Sequence, residues 1–137
     1  MSFDVCVQWF RRGEADWVAT DLVLEAFGSA LIAEDDFGWR LSFGQEAMSD
    51  IYLSFDGDDT SRVCAVTVNR PSTADAMWVA LFGLLGIGNS VFFFPEGGLF
   101  VRSSNVREHL PIDLIEALGE PQPIVQSQDL VRAIQSS

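Results

Sequence analysis

Period-two alternation of apolar residues, met again and again along the chain, restricts the fold more than any other feature. In FDVCVQWF, Phe3, Val5, Val7 and Trp9 point one way while Asp4, Cys6, Gln8 and Phe10 point the other. FGWRLSF places Phe37, Trp39, Leu41 and Phe43 on one face, SDIYLSF places Ile51, Leu53 and Phe55 on one face, and RVCAVTVNR closes the run before Pro71. Such alternation belongs to half-buried strands, because successive side chains leave a strand on opposite sides. The connections GQEAM and DGDDTS are short enough for hairpins, so these strands are expected to form an antiparallel meander.

Between the strands the period changes. TDLVLEAFG reads as a short helix with Thr20 as N-cap, Gly28 past its end, and Leu22, Val23, Ala26 and Phe27 facing inward. STADAMWVALFGLLG begins with Ser72 as N-cap and Asp75 three residues on, a variant of the capping box. Its interior is apolar nearly all round, so it is buried on more than one side or keeps a face for a partner. SVFFFP and LFVR read as strands, followed by helices at PIDLIEALG and SQDLVRAI around a Pro-bounded PIVQ. The expected fold is α+β: an antiparallel meander of about five to six strands with helices mainly on one face, in a single domain over residues 1–137.

Two stretches invite a sharper reading. LFGLLGIGNSVFFFP holds Gly83, Gly86 and Gly88, but these close a helix and precede a strand, whereas a phosphate loop follows a strand and opens a helix. Gly88 is expected to take the left-handed cap, with Gly83 and Gly86 permitting close packing. The apolar run from Ala76 to Pro95 has the length of a membrane span, yet Gly88, Asn89 and Ser90 interrupt it and no cation anchors its end. A buried helix followed by a core strand accounts for it.

Chemistry is sparse. His109 is the only histidine, and its neighbours Ser103, Ser104 and Asp113 lack the glycine pattern of a nucleophile elbow. FDGDDTS has neither the spacing nor the flanking helices of a calcium loop, and Asp-Gly there is hairpin chemistry. Cys6 and Cys64 are isolated in strand-like runs, which excludes a zinc site or disulfide framework and suits two buried thiols in a reducing compartment. No catalytic, cofactor-binding or metal-binding residue is expected. The first residues carry Asp4 and no basic segment, unlike a secretory signal, so a cytoplasmic location is expected.

Charge points to a partner. The formal net charge is −12, and residues 1–60 hold thirteen Asp or Glu against three Arg. Nucleic acid and membrane are disfavoured as ligands, and a basic protein is favoured. Asp35, Asp36, Asp56, Asp58 and Asp59 lie on expected hairpin turns. In an up-and-down meander those two turns fall at one end of the sheet, where they would make one anionic patch.

The segments MSFDV, WRLSFG, VTVNRP, MWVAL, GNSVFFFPEGG and LPIDLIEALGEP, with DLVRAI at the end, resemble a family of uncharacterised small bacterial proteins that has no motif of assigned role. In size, acidity and fold class the chain also looks like the immunity proteins of bacterial toxin systems, which implies binding and blocking of a basic toxin. The expected function is thus a non-enzymatic, cytoplasmic, immunity-like or accessory protein that binds a basic partner. Alternatives are an enzyme with a carboxylate-based site, and a homo-oligomer joined through the helix Ala76 to Leu85.

Overall fold

The computed structural model describes residues 4–34, 38–43, 48–95 and 97–135. In chain order these form β1 (Asp4–Arg11), β2 (Glu14–Ala15), β3 (Val18–Ala19), α1 (Thr20–Phe27), β4 (Leu31–Glu34), β5 (Gly38–Ser42), β6 (Met48–Asp56) and β7 (Asp59–Asn69). There follow α2 (Asp75–Leu84), β8 (Ser90–Phe93), β9 (Leu99–Val101), α3 (Ile112–Leu118), β10 (Gln122–Pro123) and α4 (Ser127–Gln135). The fold is α+β, built on one mostly antiparallel sheet.

The sheet runs in the order β10-β9-β8-β1-β7-β6-β5-β4, with β2 attached to β1 and β3 to β7. Only β4 to β7 follow one another as a meander. β1 then takes the central place between β7 and β8, pairing Val5 with Val68 and Cys6 with Phe93. At the far edge β10 runs parallel to β9. The alternation of β1 could not reveal this order, because it fixes which way side chains point and leaves the neighbours open.

In β7 the alternation itself breaks: Val63, Val66 and Val68 all reach the same core. A register shift against β6 between Ser54 and Phe55 supplies the extra residue, so that Val63 and Val66 share a face.

The core lies on both sides of the sheet. On one face α1 (Val23, Phe27), α2 (Met77, Trp78, Ala80, Leu81, Leu84) and α4 (Leu130) pack against Val5, Val7, Trp9, Leu41, Ile51, Val66, Val68 and Phe92. On the other, Leu114, Ile115 and Leu118 of α3 and Val106 of the preceding turn cover Phe10, Val91, Leu99 and Val101. α2 lies in contact with both α1 and α4, which explains its nearly uniform apolarity. The side chains expected to join two copies of the chain are largely spent on its own core; Val79 is the large apolar residue of α2 that faces outward.

The helix starts differ from their expected chemistry. Thr20 lies inside α1 and donates its hydroxyl to the Thr60 carbonyl (2.7 Å) instead of capping the helix. Ser72 accepts from the Ala74 N–H (3.0 Å) ahead of α2, whose cap position is Ala74. Leu22 faces solvent, leaving Val23 and Phe27 as the inward pair. Gly28, Gly88 and Gly119 do take positive φ, although Gly88 sits four residues beyond the last residue of α2, in the turn leading to β8. Gly83 has open space around it, and Gly86 accommodates the Arg102 guanidinium, so neither serves helix packing. Phe37 lies outside the described residues.

Candidate functional site

The β6–β7 hairpin is the most prominent acidic feature. Asp56 pairs with Asp59 across Gly57 and Asp58, with Gly57 at φ 58° and its N–H donated to the Phe55 carbonyl (3.1 Å). Gly38, where β5 begins, is level with Tyr52 on β6. Leu53 to Asp56 therefore carry the hairpin about 13 Å beyond β5, at roughly 3.3 Å per residue.

The three hairpin carboxylates differ in role. Asp56 pairs with Arg62 (3.5 Å). Asp59 accepts from the Ser61 hydroxyl and from the Ser61 N–H (3.0 Å), the hydroxyl first among the causes that hold its carboxyl below the usual 3.8. Asp58 is exposed at the tip. Arg62 also lies over the Trp17 ring, 5.8 Å from its centre. β3 pairs Ala19 with Arg62, and the Thr20 hydroxyl ties the start of α1 to Thr60. These links bring Asp16, Trp17 and Asp21 to the flank of the hairpin, giving an acidic projection with an indole beside it.

Asp35 and Asp36 lie outside the described residues. Their neighbours Glu34 and Gly38 stand at the levels of Ile51 and Tyr52, well short of the hairpin tip. The described part of the expected anionic patch is the hairpin with Asp56, Asp58 and Asp59.

His109 does not assemble a triad. Its Nδ1 accepts the Arg12 N–H (3.2 Å), its carbonyl accepts the Gly13 N–H (2.9 Å), and its Nε2 lies 3.4 Å from Glu108. Ser103 instead accepts the Asn105 N–H (3.4 Å) at the start of a 3-10 turn. His109 thereby clamps the β1–β2 turn, where Arg12 and Gly13 both have positive φ (51° and 83°), as a tight hairpin demands. A broad cleft of about 520 Å³ beside it is bounded by Arg12, Glu108, Leu110, Ile112 and Asp113.

A second depression went unread in the sequence. A groove of about 390 Å³ lies among Asp4, Cys6, Thr67, Phe93, Pro95 and Leu118. Burial pushes the Cys6 thiol up to about 11, against a smaller opposing effect from its hydrogen bond with Thr67. At neutral pH it is a protonated thiol and a poor nucleophile. Cys64 is also pushed up, chiefly by burial. Cys6 faces Thr67 and Gln8 faces Ala65 in the register, which sets the two cysteines about 10 Å apart along the strands, too far to bridge. Alternation had put Cys6 opposite Val5, but nothing in the residues said that β8 would lie beside β1 and form the groove wall.

Among the described residues, no three His, Cys, Asp or Glu side chains gather as a metal site, and no helix is long and apolar enough to cross a membrane. Fold and site together define a class: an α+β domain with a protruding acidic hairpin and an apolar groove on its sheet. Comparison with protein-family models, curated proteins and solved structures finds no match.

Proposed function

We propose that the chain is a non-enzymatic, cytoplasmic binding protein, immunity-like or accessory in type, that engages a basic protein through the β6–β7 hairpin. The observation that carries this reading is the projection of Asp56, Asp58 and Asp59 beyond the end of β5, with Trp17 at the flank. Exposed carboxylates on a projection accelerate encounter with a basic surface, and an indole beside them supplies apolar area to desolvate on contact. Immunity proteins that block basic toxins would use the same combination.

Asp58 is the residue on which to test it. Asp56 and Asp59 also hold the hairpin, through Arg62 and Ser61, whereas Asp58 has no such duty. The tagged protein is expected to retain a basic partner from its own lysate at low salt and to lose it as salt rises. Asp58→Arg should weaken that association about tenfold, as loss of roughly 1.4 kcal/mol would, with thermal stability unchanged. Equal retention of the partner by wild type and Asp58→Arg would remove the hairpin from the interface.

A further inference from the structure

The helices leave part of the sheet bare. On the face opposite α1, α2 and α4, α3 covers β8, β9 and the end of β1, while Arg40 on β5, Met48, Tyr52 and Ser54 on β6, and Asp4 on β1 stand exposed. The strand register sorts this face into rows. Asp4, Asn69, Asp50 and Arg40 are successive partners across β1, β7, β6 and β5, and Cys6, Thr67 and Tyr52 form the next row.

Each row has a feature on β6 and a counterpart on β1. Tyr52, 40% exposed, stands on β6, and in its row the groove of about 390 Å³ opens at Cys6 between Phe93 and Leu118. In the other row Asp50 is held by Arg40 (3.3 Å) and Arg70 (3.6 Å), a cluster with one net positive charge, and Asp4 is its counterpart. β6 and β1 flank β7 on either side, each about 4.8 Å away. A twofold axis along β7 exchanges them.

We infer that this bare face binds a second copy of the chain, sheet to sheet about a twofold along β7, each copy seating Tyr52 in the other's groove and Asp4 against the other's Arg40–Asp50–Arg70 cluster. The face is complementary to itself, as an isologous interface requires. Electrostatics selects it as well. A chain of net charge −12 repels its own kind over most of its surface, but here Asp4 and Asp50 are balanced by Arg40 and Arg70. An aromatic anchor entering an apolar pocket is the usual centre of such a contact. The inference does not rest on the acidic hairpin.

Sedimentation velocity on the full chain, up to ~1 mM, is expected to show a mass rising from 15.1 kDa toward twice that value. Tyr52→Lys and Asp4→Arg should each raise the dissociation constant at least ~tenfold, while Val79→Lys on α2 leaves it unchanged. A cross-link gives a second readout. In a Cys64→Ala background, Tyr52→Cys should form a disulfide with Cys6 of another copy on mild oxidation, since within one chain those positions are two strands, about 10 Å, apart. Adding Cys6→Ala should abolish the link. A monomer at every concentration, a cross-link that survives Cys6→Ala, or a dimer broken by Val79→Lys but not by Tyr52→Lys would overturn the inference.

Discussion

Trp9 shows how much a single side chain can settle. It is fully buried at the centre of the sheet, and its indole N–H donates to the Ile87 carbonyl (2.7 Å), anchoring the turn between α2 and β8. Gly88 follows with φ 54°, and a Cβ there would sit 3.3 Å from the Trp9 ring. Trp9→Phe keeps an aromatic ring but leaves that carbonyl unpaired and a void behind; a loss of about 2–3 kcal/mol is expected in urea unfolding. Cys6 offers a pH test. Its thiol is pushed from 9.0 to about 11, mainly by burial, so the native chain keeps a proton that the unfolded chain releases. The resulting stabilisation is complete below pH 9 and is lost as pH rises toward 11. Urea midpoints measured across that window should fall, and Cys6→Ala should flatten the fall. The alternation of FDVCVQWF made both residues legible as strand residues on opposite faces. Their partners were not legible, because Ile87 and Thr67 meet them only through a strand order that local pattern does not encode.

At the scale of elements, α2 is the clearest case of pattern read correctly and purpose left undecided. Its apolar surround fits burial against the sheet, α1 and α4 equally well as it fits a partner's surface, and composition cannot separate the two. The contacts do: Leu81 and Leu84 are fully buried in the chain's own core. Leu81→Ala is therefore expected to cost about 2–5 kcal/mol in chemical unfolding of the isolated chain, whereas a helix reserved for another molecule would lose little. Thr20 and Ser72 show the limit of capping rules. Both bear the right hydroxyl near the right place, yet each satisfies a different backbone group: Thr20 lies within the helix and donates to the Thr60 carbonyl, and Ser72 lies two residues ahead of the cap position and accepts from Ala74. The short strands β2 and β3 escaped notice for a related reason. Two residues are too few to show a period, and β3 exists only because β7 runs on past Ala65, its last partner on β1, and leaves Val63 and Arg62 to receive it.

For the whole molecule, the α+β class followed from the order of periods along the chain, and the acidic hairpin from Asp-Gly chemistry between two alternating runs. The bare face and its groove were illegible, since they are made by side chains from β1, β5, β6, β7, β8 and α3 that no local spacing connects. The central position of β1 has a bearing on how the chain comes into being. It precedes the other strands of the sheet in chain order, yet its partners β7 and β8 come much later: Val5 waits for Val68, and Trp9 for Ser90. The β4–β7 meander is built from neighbouring hairpins and can close early, while β1, with alternating apolar residues and two unpaired edges, stays without its neighbours until β7 and β8 have been synthesised. Asp4 and Gln8 alternate there with Val5, Val7 and Trp9, and these polar side chains temper the tendency of a nascent strand to pair with the wrong neighbour.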